Sequence, residues 1–332
     1  MIAAMLALTK ITPWHWAAFI LCIIFFLALD LGVFHRRAHV VKFKEAIVWT
    51  MVWASLSMLF AGSLVFWRSR DEAVEFVTGY IIELSLSMDN VFVMALIFSF
   101  FRVPAQFQHR VLFWGILGAL VMRGVMIGAG SVLIQRFMWV LYALGVLLIY
   151  SGIKMVFTED EGVDPEKNAL IRWARKCFPV STDFDGMKFT TLVNGKFALT
   201  PLALVLIMVE TTDLVFALDS IPAIFAVTTK PFIVFTSNVF AILGLRSLYF
   251  ALAGAIEYFR YLKVGLSFVL VFIGCKMLLN PHEHTPLWFQ VEIPTSVSLL
   301  VVAAILLTSI TLSVIAARRE KRAAAGRKHS PH

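Results

Sequence analysis

Long apolar runs separated by short polar breaks fill the chain, and nine of them stand out, at about 14–34, 45–67, 74–100, 110–133, 137–157, 198–227, 231–253, 262–279 and 294–316. A helix rises about 1.5 Å per residue, so roughly 20 mostly apolar residues cross a hydrocarbon core of about 30 Å. The pattern predicts an all-α integral membrane protein of about nine transmembrane helices. The first run carries no small-residue cleavage site after its apolar core, and Asp30 interrupts the place where one would lie, so it is expected to stay as a helix.

Polar residues inside these runs are more informative than the runs themselves. The stretch ELSLSMDNVF places Glu83, Asp89 and Asn90 inside the third run, and the sixth carries Glu210, Asp213, Asp219 and Ser220. Four bases are also embedded: Arg123, Lys154, Arg246 and Lys276. Arg123 precedes GIKM at 152–155 by 29 residues, and Arg246 precedes GCKM at 274–277 by 28. Upstream, Glu83 and Asp89 are separated by five residues, as are Asp213 and Asp219, so Asp89-Asn90 corresponds to Asp219-Ser220. Two three-helix blocks, 74–157 and 198–279, therefore read as copies. Three crossings per block make the second enter from the opposite face, an inverted-topology repeat of the kind that seats a transporter's cargo near the midplane. The remaining divisions are 1–73 with the first two helices, 158–197 as a loop, and 280–332 with the last helix and a basic tail.

Composition agrees: 60% of the 332 residues are hydrophobic and only 15% charged, which excludes an ordinary soluble domain. The net charge of +8 raises nucleic acid as a partner, but its placement points elsewhere. With the N-terminus outside, the loops at 35–44, 101–110, 158–197 and 254–263 and the tail from Arg318 carry 20 Lys or Arg, against five on the other side (Lys10, Arg68, Arg70, Arg136, Lys230). The positive-inside rule then selects N-out, C-in, in a bacterial inner membrane, with the bilayer and not nucleic acid as the basic residues' partner. No oligomeric state is specified. Cys22, Cys177 and Cys275 lie far apart, with no disulfide or soft-metal spacing.

An ionised residue deep in a membrane helix costs at least about 2.5–3.5 kcal/mol on insertion scales, so the central acids need compensation. Arg123 and Arg246 supply two charges, whereas Lys154 and Lys276 sit near helix ends and are expected to extend toward water. The deficit suits a divalent cation as cargo. Residues seven apart share a helix face, which pairs Glu83 with Asn90 through Ser87, and Asp213 with Ser220; Asp89 and Asp219 fall off those stripes. Pro222 is expected to kink or break the helix beside the acids and free carbonyls. Oxygen donors without histidine favour Mn²⁺, Mg²⁺ or Ca²⁺ over Zn²⁺ or Cu, and Met88 and Met208 offer thioethers suited to Mn²⁺. The competing reading is a set of buried ion pairs that fix helix register and bind nothing.

ELSLSMDNVFV, VETTDLVFALDSIPAIFAVTT, SNVFAILGLRSLYF and FIGCKML resemble the TerC family of integral membrane proteins, nearest its Alx-like branch, from the first helix to the ninth. The resemblance implies Mn²⁺ efflux, tellurium and pH stress as context, and, for Alx-type members, redox modulation. The family's acids map onto Asp89 and Asn90, and onto Glu210, Asp213, Asp219 and Ser220, and its arginines onto Arg123 and Arg246. Alx-type chains are expected to place a base directly after the first acid, where Leu84 stands here.

The expectation is a secondary transporter exporting a divalent metal, Mn²⁺ foremost, in exchange for protons, with no permanently bound cofactor. Glu83, Asp89, Asn90, Glu210, Asp213, Asp219 and Ser220 are the metal candidates, Arg123 and Arg246 balance charge, and Asp30, Lys154 and Lys276 are candidates for a proton pathway. The alternative is a membrane redox modulator or metal-delivery factor. No phosphate-binding glycine loop or catalytic triad is present, so enzymatic activity is not expected. The inward loop that begins TEDEGVDPEK reads as a solvated charged linker or a short interfacial helix around 168–178, and His282, Glu283 and His284 as a weak outward metal contact.

Overall fold

A computed structural model describes residues 11–29, 43–157, 168–193, 195–253, 261–280 and 290–327. Asp30, the acidic segment 158–167 and the His282–His284 triplet lie outside the described residues. The helices are α1 (Pro13–Leu29), α2 (Phe43–Trp67), α3 (Arg70–Phe100), α4 (Ala105–Arg136), α5 (Trp139–Phe157), α6 (Ala169–Cys177), α7 (Pro201–Phe225), α8 (Pro231–Leu243), α9 (Leu245–Ala253), α10 (Leu262–Leu279) and α11 (Thr295–Arg327). Seven of them are long and apolar enough to span a bilayer, and α8 with α9 makes an eighth if that pair, bent by 41°, is one span; α1 is a shorter apolar helix. The chain is thus a multi-pass membrane protein, as the need to satisfy every backbone polar group in lipid requires of apolar helices of this length.

Local chemistry sets the ends. Ser69 caps α3 by accepting from the Glu72 amide at 3.1 Å, and Asp71 and Glu72 in the first turn complement the helix dipole. Pro201 and Pro231 open α7 and α8, where a missing N–H loses no helical bond. Pro222, expected to kink or break α7, does not break it. The helix runs on to Phe225, and the Ala226 amide bonds the Pro222 carbonyl at 3.0 Å. The proline sits in the last turn, where the single bond it removes, to Leu218, costs little continuity.

Helices α3 and α7 cross at the centre. α8 packs on α3 and α4 on α7, while α5 lies along α10 in the most extensive helix contact among the described residues. That seam depends on glycine. A Cβ on Gly274 would stand 2.7 Å from the Gly145 carbonyl oxygen, and one on Gly152 would stand 2.8 Å from the Ser267 carbonyl oxygen. Gly152 and Gly274 are the glycines of GIKM and GCKM, so the repeated motif marks a backbone-to-backbone approach typical of small residues in membrane helix pairs. Helices α1 and α2 cover one flank through an aromatic cluster that includes Phe19, Phe60, Phe76, Phe232 and Phe240, and α11 lies against α10 and α3.

Between α6 and α7 a hairpin that the sequence reading did not foresee joins β1 (Thr190–Val193) to β2 (Lys196–Leu199), pairing Val193 with Lys196 across a two-residue turn. Gly195 holds the turn at φ +74, a conformation L side chains avoid. Beside it, hydrogen bonds from Thr191 and Lys188 hold the exposed Asp185 carboxyl below the usual carboxylate range.

Candidate functional site

The acids form two adjoining groups where α3 packs on α7, with Asn90 and Ser220 common to both. In the first, Arg123 of α4, 1% exposed, reaches between the two helices. Its Nε donates to Asp213 Oδ2 at 3.2 Å and its Nη2 to Asp213 Oδ1 at 2.9 Å, a two-pronged pair. Its Nη1 donates to Glu83 and, at 3.1 Å, to Ser220 Oγ. Asn90 donates from Nδ2 to Asp213 Oδ1 at 3.3 Å. The residues brought together, Glu83 and Asn90 from α3 and Asp213 and Ser220 from α7, are those spaced seven apart. One guanidinium faces two carboxylates, leaving one formal negative charge. Glu83 Oε2, Ser87 Oγ and Asn90 Oδ1 are buried and have no hydrogen-bond partner among the described residues. Because the Asn90 nitrogen is committed to Asp213, its oxygen is an oriented acceptor.

Asp89 and Asp219 form the second group and share a small cavity of about 10 Å³ lined by Leu86, Asp89 and Asn90 from α3, Phe216, Asp219 and Ser220 from α7, and Met155 from α5. Each central helix contributes positions i, i+3 and i+4, and the two triplets are the ones that align when Asp89 is matched in sequence with Asp219. The space suits one water molecule or one bare cation, given that a water needs about 10–15 Å³. Ser151 of α5 donates to Asp219 Oδ1 at 2.7 Å, and Lys154, one turn further along α5 and exposed, is within electrostatic reach of Asp219. The donor set is two carboxylates with amide and hydroxyl oxygens and one thioether. Among the described residues no three His, Cys, Asp or Glu side chains converge as a metal site, so neutral oxygens would have to complete any coordination shell.

The other candidates lie outside that cavity lining. Glu210, half-buried, fits its carboxylate over Gly118 of α4, where a Cβ would collide with it. Arg246 is buried on α9 just past the bend at Gly244. Lys276 corrects an expectation: it is 3% exposed and does not extend toward water. The tight α5–α10 seam encloses that turn of α10, and Glu75 of α3 supplies a counter-charge within reach.

Glu75 belongs to a polar cluster near the start of α3. Arg68 donates to Glu72 through Nε at 2.6 Å and Nη2 at 2.8 Å. Lys230 approaches Glu72 at 3.4 Å and Glu75 at 3.1 Å, and Thr228 donates to Glu75 at 2.8 Å. These contacts tie α3 to the α7–α8 connection.

Residues 68–321 match the integral membrane protein TerC family. A membrane protein of Myxococcus xanthus is 54% identical over 308 residues, covering 92% of this chain and 94% of its own. Alx of Escherichia coli K12, whose name proposes a membrane-bound redox modulator, is 47% identical over 285 residues, covering 83% and 89%. A membrane protein of Rickettsia bellii is 40% identical over 300 residues, covering 90% and 97%. No solved structure matches.

Proposed function

The chain belongs to the TerC family of integral membrane proteins, and from that premise we propose that it is a secondary transporter exporting a divalent cation, Mn²⁺ foremost, in exchange for protons. The observation that carries this reading is the cavity between Asp89 and Asp219, walled by matched triplets from the two central helices. In the proposed cycle Asp89, Asp219, Asn90 and Ser220 receive the ion, with the Met155 sulfur at the edge; a hard cation with some tolerance for thioether describes Mn²⁺. Glu83, Asp213 and Arg123 form a charge store beside it, joined to it through Asn90 and Ser220. Glu210 and Arg246 lie along the inner approach. When the ion leaves, the carboxylates repel each other and favour proton uptake, which couples export to proton entry.

The transport frame is nine crossings with the N-terminus outside and the C-terminus in the cytoplasm of a bacterial inner membrane, counting α1 and the bent α8–α9 pair as one span each. The blocks 74–157 and 198–279 are its inverted halves. The contacts support such an exchange: α3 on α8 is the mate of α7 on α4, while α3 on α7 and α5 on α10 each join an element to its own counterpart. In this orientation the cluster of Arg68, Glu72, Glu75, Thr228 and Lys230, with Lys276 beneath it, closes the outer side. Lys154 and Asp30 remain candidates for proton passage on the inner side.

The test is Mn²⁺ movement in proteoliposomes across a pH gradient. Flux in the parent, lost in both Asp89→Asn and Asp219→Asn, is expected; flux unchanged in both variants rejects the site. The name carried by the E. coli relative brings a second reading, a redox modulator. The described cysteines are all free, on α1, α6 and α10. A parent with no flux under a gradient of either sign, but with thiol-dependent electron transfer in membranes, would favour it.

A further inference from the structure

The short helix α6 shows three distinct faces. Ile171 and Ala174 are buried against α7. Roughly a right angle round the helix, Leu170, Trp173 and Cys177 form an exposed stripe, with Leu170 48% and Trp173 61% exposed. Arg172, Arg175 and Lys176 occupy the remaining arc, and no acid interrupts residues 168–178. Asn168 fixes where the helix lies. Its Oδ1 caps α6 by accepting from the amides of Leu170 at 3.0 Å and Ile171 at 3.2 Å, and its Nδ2 donates to Met208 Sδ of α7 at 3.3 Å. Met208 is seven residues beyond Pro201, about 10 Å along the axis of a membrane-spanning helix. An apolar stripe with a tryptophan, set beside a basic arc at that depth, has the geometry of a helix lying in the headgroup boundary.

We propose that α6 is a lipid-docking element whose Leu170–Trp173–Cys177 stripe enters the acyl boundary while Arg172, Arg175 and Lys176 bind anionic phospholipid headgroups. Three bases, no acid and a location beside a transmembrane helix favour an anionic bilayer surface over a second protein on this face. The placement of α6 in the inner leaflet rests on the topology proposed above, but the lipid contact itself does not. Each base near such a surface contributes about 1 kcal/mol, so neutralising all three shifts the ratio of seated to lifted helix on the order of a hundredfold.

The experiment uses the full chain with Cys22→Ser and Cys275→Ser, a spin label on Cys177, and nanodiscs of phosphatidylcholine with or without phosphatidylglycerol. Both leaflets are then alike, so the result is independent of topology and of transport. With phosphatidylglycerol the label should be relaxed by oxygen and protected from a water-soluble nickel chelate. Arg172→Gln, Arg175→Gln and Lys176→Gln together should expose it to nickel, as should discs lacking the anionic lipid. Equal nickel access in every disc, no effect of the triple variant, or shielding from both reagents, which would mean that protein covers the stripe, each overturns the proposal.

Discussion

Arg123 touches both α3 and α7 through Glu83, Asp213 and Ser220, and its removal strands two buried carboxylates. Arg123→Gln should lower stability by about 3–5 kcal/mol, the range for breaking one side of a buried pair. Arg123→Lys should not restore it, since an ammonium lacks the fork that grips Asp213. Thermal unfolding in detergent checks both, and an unchanged midpoint in Arg123→Gln would contradict the clamp. Asp89→Asn and Asp219→Asn should behave oppositely, keeping the midpoint while losing Mn²⁺ flux. The seven-residue spacing in the sequence already separates these two sets, because it places Glu83 with Asn90 and Asp213 with Ser220 and leaves Asp89 and Asp219 off the stripe. Ser151 as the donor to Asp219 was not legible. It depends on how closely α5 approaches α7, which is a property of packing and not of either helix's pattern.

The helices themselves are written plainly in the sequence, because an apolar run of this length has few alternatives to a helix in lipid. Breaks within them are written less plainly. The 41° bend between α8 and α9 falls at Gly244, inside a run that looks unbroken, and Pro222 leaves α7 continuous because its place in the last turn matters more than its identity. The β1–β2 hairpin did have a signal: Asn194-Gly195 between Thr-Thr-Leu-Val and Lys-Phe-Ala-Leu is the turn chemistry such hairpins use. For the glycine seam between α5 and α10, Gly152→Val or Gly274→Val should destabilise by about 1–3 kcal/mol through overpacking. Gly62→Ala, with open space around its Cβ, should raise stability by up to about 1 kcal/mol. Chemical denaturation of the three variants in one detergent compares them; equal loss in all three would show that the seam is not specially close.

For the molecule as a whole, the proposed cycle requires the cluster joining α3 to the α7–α8 connection to open. Glu75→Gln with Lys230→Gln should speed labelling of an Ala223→Cys reporter by an impermeant maleimide several-fold in a cysteine-free background, in line with the 1–3 kcal/mol typical of coupling between states. Exchanging the charges, as Glu75→Lys with Lys230→Glu, should not restore the parent rate, because the new carboxylate faces Glu72 and the new ammonium faces Lys276. Unchanged labelling in the first pair would remove these residues from the barrier.

In the proposed cycle the small volume between Asp89 and Asp219 also bears on which ions could pass. At about the size of one water, it would require a cargo ion to shed most of its water at the threshold and accept side-chain oxygen in exchange. Mg²⁺ holds its hydration shell tenaciously and insists on a regular octahedron, and it is therefore expected to slow Mn²⁺ movement little even in large excess, its exclusion resting on dehydration rather than on charge.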